Sequence, residues 1–137
     1  MDKFSTAKRS AIMSNVSGTE TKPEILVRKF LFMNGFRYRK NSKTLPGKPD
    51  IVLPKYKTVI FINGCFWHGH PSCKKAELPV TNRIFWQEKI EGNIRRDRQQ
   101  KDELEKLGYR VMILWQCELT PKIKEKNLNA LVKAIIL

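Results

Sequence analysis

A chain of 137 residues, 41% hydrophobic and 29% charged, suits one folded domain, leaves little room for a second and excludes a disordered chain. Twenty-seven Lys and Arg against thirteen Asp and Glu leave a formal charge of +14, a self-repulsion whose usual explanation is a polyanionic partner. Nucleic acid is the expected polyanion, ahead of solubility alone or an anionic membrane surface, because no helix pairs a strong apolar face with a basic one.

Residues 1–20 are polar, basic and rich in Ser and Thr, with one weakly helical stretch over 8–15. They read as an arm that orders on a partner, ahead of a single domain over 21–137. Residues 1–6 hold no apolar run, so a secretory signal is not expected. Thr21-Lys22-Pro23-Glu24 forms a capping box, and Ile25, Leu26, Val27, Phe30, Leu31 and Met33 supply a broad apolar face. Asn34-Gly35 closes this helix. Residues 36–40 alternate apolar and basic as a half-buried strand would, and 45–49 form a turn. Two short strands, 50–53 and 58–62, make a hairpin, and residues 63–80 carry too much Gly and Pro to be regular.

A long helix is expected over 82–107, loosened at Gly92 and stopped at Gly108. Residues 109–115 are nearly all apolar and read as a strand buried on both faces. Residues 127–137 form a closing helix. The order α-β-β-β-α-β-α implies an α/β fold with a mixed central sheet flanked by helices. The apolar stretches over 59–62 and 111–115 are far too short to cross a bilayer, so no membrane association is expected.

Three cysteines, an odd number, fit a reducing compartment, where Cys chemistry more often means metal than disulfide. Both histidines and two of the cysteines fall in Cys65-Phe66-Trp67-His68-Gly69-His70-Pro71-Ser72-Cys73. Such a loop can curl three ligands round one ion, and a closed tetrahedral zinc site then needs a fourth. Cys117 is the remaining cysteine and follows a strand that could neighbour 58–62. The bland reading, buried cysteines acting as small hydrophobes, does not explain why they gather beside both histidines. His68 and His70 compete for one ligand place. At i, i+2 they point apart, so one binds metal and the other is free.

Asp50 opens a strand after a turn, at the sheet rim, where a carboxylate can hold a cation; a turn-capping Asp is the common alternative. Asp97 falls within the stripe Trp86, Ile90, Ile94 and Leu104, so it faces the core or a cleft edge and needs a partner. Candidates are His68 and the neighbouring Arg95, Arg96 and Arg98. An Asp that orients a His is an arrangement used in general-base catalysis, and a structural ion pair is the competing reading.

Leu45-Pro46-Gly47-Lys48-Pro49-Asp50, Gly64-Cys65-Phe66-Trp67-His68, Phe85-Trp86 with Glu88-Lys89-Ile90, Asn93 with Arg96-Asp97, and Leu107-Gly108-Tyr109-Arg110-Val111 follow one another over roughly residues 5–120. In order and spacing they closely resemble the very-short-patch-repair (Vsr) endonucleases. The resemblance implies a restriction-endonuclease-like fold and a magnesium-dependent enzyme that nicks one strand 5′ to the T of a T·G mispair left by 5-methylcytosine deamination. It implies Mg2+ on Asp50 and the backbone carbonyl of Ile62, with Glu24 nearby, and His68 as general base oriented by Asp97. Structural Zn2+ would take Cys65, His70, Cys73 and Cys117. Phe66 and Trp67, with Trp86 beside them, would be the wedge that enters the base stack.

Asn63 stands where the best-known members carry a His; it can bond a phosphate oxygen but cannot carry a proton. The loop between the zinc His and the next Cys differs by one residue, and Ile60-Phe61-Ile62 replaces the second acid and Lys of general restriction enzymes. The implied protein is a monomer acting on mismatched double-stranded DNA, with mismatch-repair proteins as further partners, in a bacterial-type cytoplasm at the nucleoid. Two alternatives remain at this stage: a restriction-type nuclease on the same fold, and a zinc DNA-binding protein without catalysis.

Overall fold

A computed structural model describes residues 22–40 and 43–137. The expected arm over 1–20, its weakly helical stretch and the Thr21 cap lie outside the described residues.

Helix α1, Lys22–Met33, accepts Pro23 in its first turn, where the missing N–H costs nothing. Its inward face is narrower than the sequence pattern suggests. Val27 and Leu31 are buried, together with the charged Glu24 and Arg28, whereas Met33 is 84% exposed and Ile25 also reaches solvent. Gly35, at φ +88, ends the helix, and the Phe36 amide turns back to the Leu31 carbonyl.

Strands β1 (Arg39–Lys40), β2 (Ile51–Leu53) and β3 (Thr58–Asn63) pair antiparallel, with Ile51 opposite Ile60 and Arg39 opposite Val52. The strand expected over 36–40 is only two residues long, because the three-residue β2 gives it little to pair with. Helix α2, Arg83–Lys106, then crosses over to β4, Arg110–Trp115, which lies parallel to β3 with Asn63 beside Trp115. The last helix, α3, covers Lys124–Ile136. The result is a four-stranded mixed sheet in the order β1-β2-β3-β4.

Alternation along β2 and β3 divides the core between two faces. Ile51, Leu53 and Ile60 meet Val27 and Leu31 of α1 and Leu128, Leu131 and Ile135 of α3. Val52 and Val59 point the other way, to Leu104 of α2. Strand β4 departs from expectation: Leu114 is its one buried residue and Ile113 is 38% exposed. It lies at the sheet edge, and Leu104 of α2 packs at its start against Tyr109 and Val111.

Gly92 does not loosen α2, which runs unbroken for 24 residues. At about 1.5 Å per residue it is roughly 36 Å long, against about 20 Å for a six-residue strand. Since Leu104 packs over the sheet, the N-terminal half of α2 overhangs the ends of β3 and β4. The loop over 64–80 fills the space below this overhang. Among the described residues, no helix is long and apolar enough to cross a membrane.

Candidate active site and metal centre

Parallel pairing of β3 and β4 brings two distant cysteines together. Cys65 lies two residues past the end of β3, and Cys117 lies in the 3-10 turn Gln116–Leu119 just after β4. The loop between curls back on itself: the His68 amide donates to the Gly64 carbonyl and the His70 amide to the Cys65 carbonyl. Gly69 and Ser72 take left-handed backbone conformations that let it do so. Ligand atoms of Cys65, His70, Cys73 and Cys117 consequently lie within 4.8 Å of one another.

His70 Nδ1 is 3.4 Å from Cys117 Sγ, and its ring stacks on Trp115 at 4.1 Å and 9°. Burial, with Cys65 and Cys73 alongside, pushes the Cys117 thiol up to about 11. Desolvation acts to raise Cys73 as well, but hydrogen bonds with the Lys75 backbone and the other two thiols bring it below its ordinary value. Three crowded thiols resist becoming thiolates together, and a divalent cation at their centre relieves that repulsion.

The second histidine does different work. His68 Nδ1 lies 2.6 Å from Asp97 Oδ2, with both side chains about one-third exposed. An ionised carboxylate cannot donate, so Nδ1 carries the proton, and the neutral form of this ring has its lone pair on Nε2. Of the Arg residues beside Asp97 on α2, Arg96 donates to Asn93 Oδ1.

Asp50 stands one residue before β2 and accepts the Ile62 amide at 2.7 Å. Burial dominates its electrostatics and pushes the carboxyl up to about 7, with the Ile62 amide opposing. The Glu24 carboxylate adds to the rise and His68 opposes it, so both groups lie close to Asp50. Glu24, 3% exposed, has Arg28 Nη1 at 3.5 Å one helical turn on. Asn63 is buried at the end of β3. Elements distant in sequence thus deliver Glu24, Asp50, His68 and Asp97 to one end of the sheet.

Phe66, Trp67 and Trp86 form a ring cluster with centroids 5.4–5.8 Å apart in edge-on contacts, all three half-buried. Trp86 therefore packs with the loop rings at the overhang of α2. Asn93 Nδ2 donates to the Trp67 carbonyl at 2.9 Å, tying the loop to α2. Arg28 and Trp115 were not singled out by sequence reading. The i, i+4 spacing of Glu24 and Arg28 was a usable signal for the first. Nothing in the sequence pattern marks Trp115 as the partner of a histidine ring.

The family profile described as DNA mismatch endonuclease Vsr matches residues 1–75. The type II nicking enzyme V.NmeAIP of Neisseria meningitidis serogroup A is 57% identical over 135 residues, 98% of this chain and 96% of that protein. The type II nicking enzyme V.XorIIP of Xanthomonas oryzae pv. oryzae is 43% identical over 119 residues, 87% of each chain. The DNA mismatch endonuclease Vsr of Escherichia coli K12 is 39% identical over 123 residues, covering 90% of this chain and 78% of that one.

Proposed function

This chain belongs to the Vsr family of DNA mismatch endonucleases, and from that premise we propose that it nicks one DNA strand on the 5′ side of the T in a T·G mispair. The observation that carries the reading is the 2.6 Å contact between His68 Nδ1 and Asp97 Oδ2, formed beside the paired acids Asp50 and Glu24. It leaves a base nitrogen free near a cation site, the combination metal-assisted phosphodiester hydrolysis requires.

Two cofactors fit the donor sets. Three thiols and one imidazole are a donor set that suits zinc, and their ligand atoms lie within 4.8 Å of one another, His70 Nδ1 and Cys117 Sγ at 3.4 Å. Four protein ligands would leave no position for water, so a zinc held there would be structural. The oxygens of Asp50 and Glu24 suit magnesium. The Ile62 carbonyl is a third donor, since it leaves β3 on the same side as the amide bonded to Asp50. Bound there, magnesium supplies positive charge to offset the charge building on the attacking and leaving oxygens.

The protein's own residues do the rest. His68 Nε2 takes the proton of the attacking water while Asp97 holds the ring by Nδ1. Water oxygen bonds to phosphorus as the opposite P–O bond breaks, and the leaving oxygen, which keeps that electron pair, takes a proton from solvent water. Asn63 donates to a phosphate oxygen. Phe66, Trp67 and Trp86 wedge into the base stack, where a mispaired step resists least. Lys and Arg neutralise phosphates. Residues 21–137 act as one endonuclease domain.

Strand-specific cleavage of a T·G duplex and its matched T·A twin, with and without magnesium, tests the proposal. A magnesium-dependent nick 5′ to the mispaired T is expected. Equal cutting of the matched duplex would indicate a restriction-type nuclease instead, and binding without nicking would leave a zinc DNA-binding protein.

A further inference from the structure

One residue separates His68 from His70, and it is where the metal loop seats on the long helix. Gly69 has φ +59, and a Cβ placed on it would lie 2.6 Å from Ile94 Cδ1, 2.9 Å from Ile90 Cγ2 and 3.2 Å from Ile94 Cγ1. Carbon atoms pack at about 3.5–4.0 Å, so there is no space for a methyl group at this point. Ile90 Cγ2 and Ile94 Cγ1 move only with χ1, where β-branched side chains are stiff, whereas Ile94 Cδ1 can also turn about χ2; a side chain at φ +59 carries backbone strain besides. Asp97 follows Ile94 by three residues, on the same side of α2. Three consecutive loop residues therefore make three different attachments: His68 to Asp97, Gly69 to Ile90 and Ile94, and His70 to the cysteines.

We infer that Gly69 is a positioning residue for His68: with Ile94 it forms a matched steric pair that sets the spacing between loop and helix, and so holds the imidazole at bonding distance from Asp97. The cysteine cluster does not set this spacing by itself, because Cys65, Cys73 and Cys117 lie off α2. The inference rests on the reading of His68 as the base. A methyl on Gly69 would lift the loop by about 1 Å before its contacts became ordinary. A displacement of that size at a reacting group costs on the order of 100-fold in rate.

The test compares wild type with Gly69→Ala, Ile94→Val, the two combined, and Ile94→Phe. Steady-state nicking, zinc per chain, thermal melting and the downfield imidazole N–H proton signal of His68 are read for each. Gly69→Ala is expected to lose the His68 signal and about 100-fold in kcat, with KM for DNA and zinc content kept. Ile94→Val alone loosens the same seat by one methyl and should weaken the His68 signal and slow nicking, by less than Gly69→Ala does. Combined with Gly69→Ala it should regain the signal and at least about tenfold of the lost rate, because it removes the atom in closest conflict. Ile94→Phe crowds the same contact from the helix side without changing the loop's own residues, and should reproduce the loss even if Gly69→Ala fails to fold.

A Gly69→Ala protein with normal signal and rate would overturn the inference. So would zinc loss that accounts for the defect, or a double variant no better than the single one. A wild-type protein that cuts no T·G duplex would bring down the nuclease reading instead, while the imidazole signal would still decide the role of Gly69.

Discussion

Replacing Asp50 by Asn separates the demands of the site from those of the fold. Burial, with Glu24 alongside, lifts this carboxyl from 3.8 to about 7, so ionising it inside the protein is disfavoured relative to the unfolded chain. The difference of 3.2 pH decades (7 − 3.8) corresponds to about 4 kcal/mol. Solvent still reaches the group, and halving that figure gives an expected cost of about 2 kcal/mol. The direction follows from proton counting. Below about pH 4 both states hold the proton and the group is neutral to stability. Between about 4 and 7 the unfolded chain has released it while the folded chain keeps it, so stability falls as pH rises. Above about 7 the whole cost is present.

The amide side chain of the Asp50→Asn variant would still offer an oxygen to the Ile62 amide but carries no charge. In magnesium-free buffer with zinc supplied, Asp50→Asn is expected to melt roughly 6–8 °C above wild type at pH 8, shrinking towards zero near pH 4. Magnesium at pH 8 should narrow the gap by raising the wild type, and the variant should not nick. Differential scanning calorimetry of both proteins across this range measures it. A variant less stable than wild type at pH 8, or a gain independent of pH, would refute the picture of an ion kept under strain for catalysis.

Other expectations follow from the same geometry. His68→Ala should lose about 10²–10⁴ in nicking rate while binding a full complement of zinc; metal loss would mean the two histidines have exchanged roles. Asp97→Asn should slow nicking with little change in KM, since an uncharged amide can turn either its oxygen or its NH2 to the ring and no longer fixes the tautomer, and an unchanged kcat would remove Asp97 from the mechanism. Phe66→Ala with Trp67→Ala should abolish the preference for T·G over T·A in competition cleavage; a preserved ratio would exclude the rings from recognition. Cys73→Ser should lower zinc stoichiometry and melting temperature together, and full zinc retention would break the proposed ligand set.

Much of this was legible in the sequence because the chemistry recurs locally. Helix periodicity turned Asp97 inward with Ile90 and Ile94, and the inward acid does meet a histidine. Turn residues at 34–35 and at Gly108 marked the ends of α1 and α2 where the backbone turns left-handed. What was not legible depends on neighbours in space. The choice between His68 and His70 could not come from an i, i+2 spacing; the register that sets Asn63 beside Trp115 decides it. The exposure of Ile113 reflects the edge position of β4, which a run of apolar letters does not encode. Ile25 and Met33 read as core, yet α1 spends its inward face on Glu24 and Arg28, a sign that this helix serves the site as well as the core.

The placement of Cys65 and Cys117 at the outgoing ends of two adjacent parallel strands has a kinetic consequence. Parallel neighbours joined by a long crossover meet late, since the intervening chain must first be gathered against its entropy. A metal bridge between those two positions would tie off a ring of 53 residues, 65 to 117 inclusive, holding α2 and β4. Ring closure of that length is worth about 4 kcal/mol by analogy with a covalent cross-link. A nascent chain starved of zinc would therefore linger with its marginal strand unzipped and its unpaired backbone open to other chains. Metal supply would then govern how much of this protein reaches its folded state, before any question of cutting DNA arises.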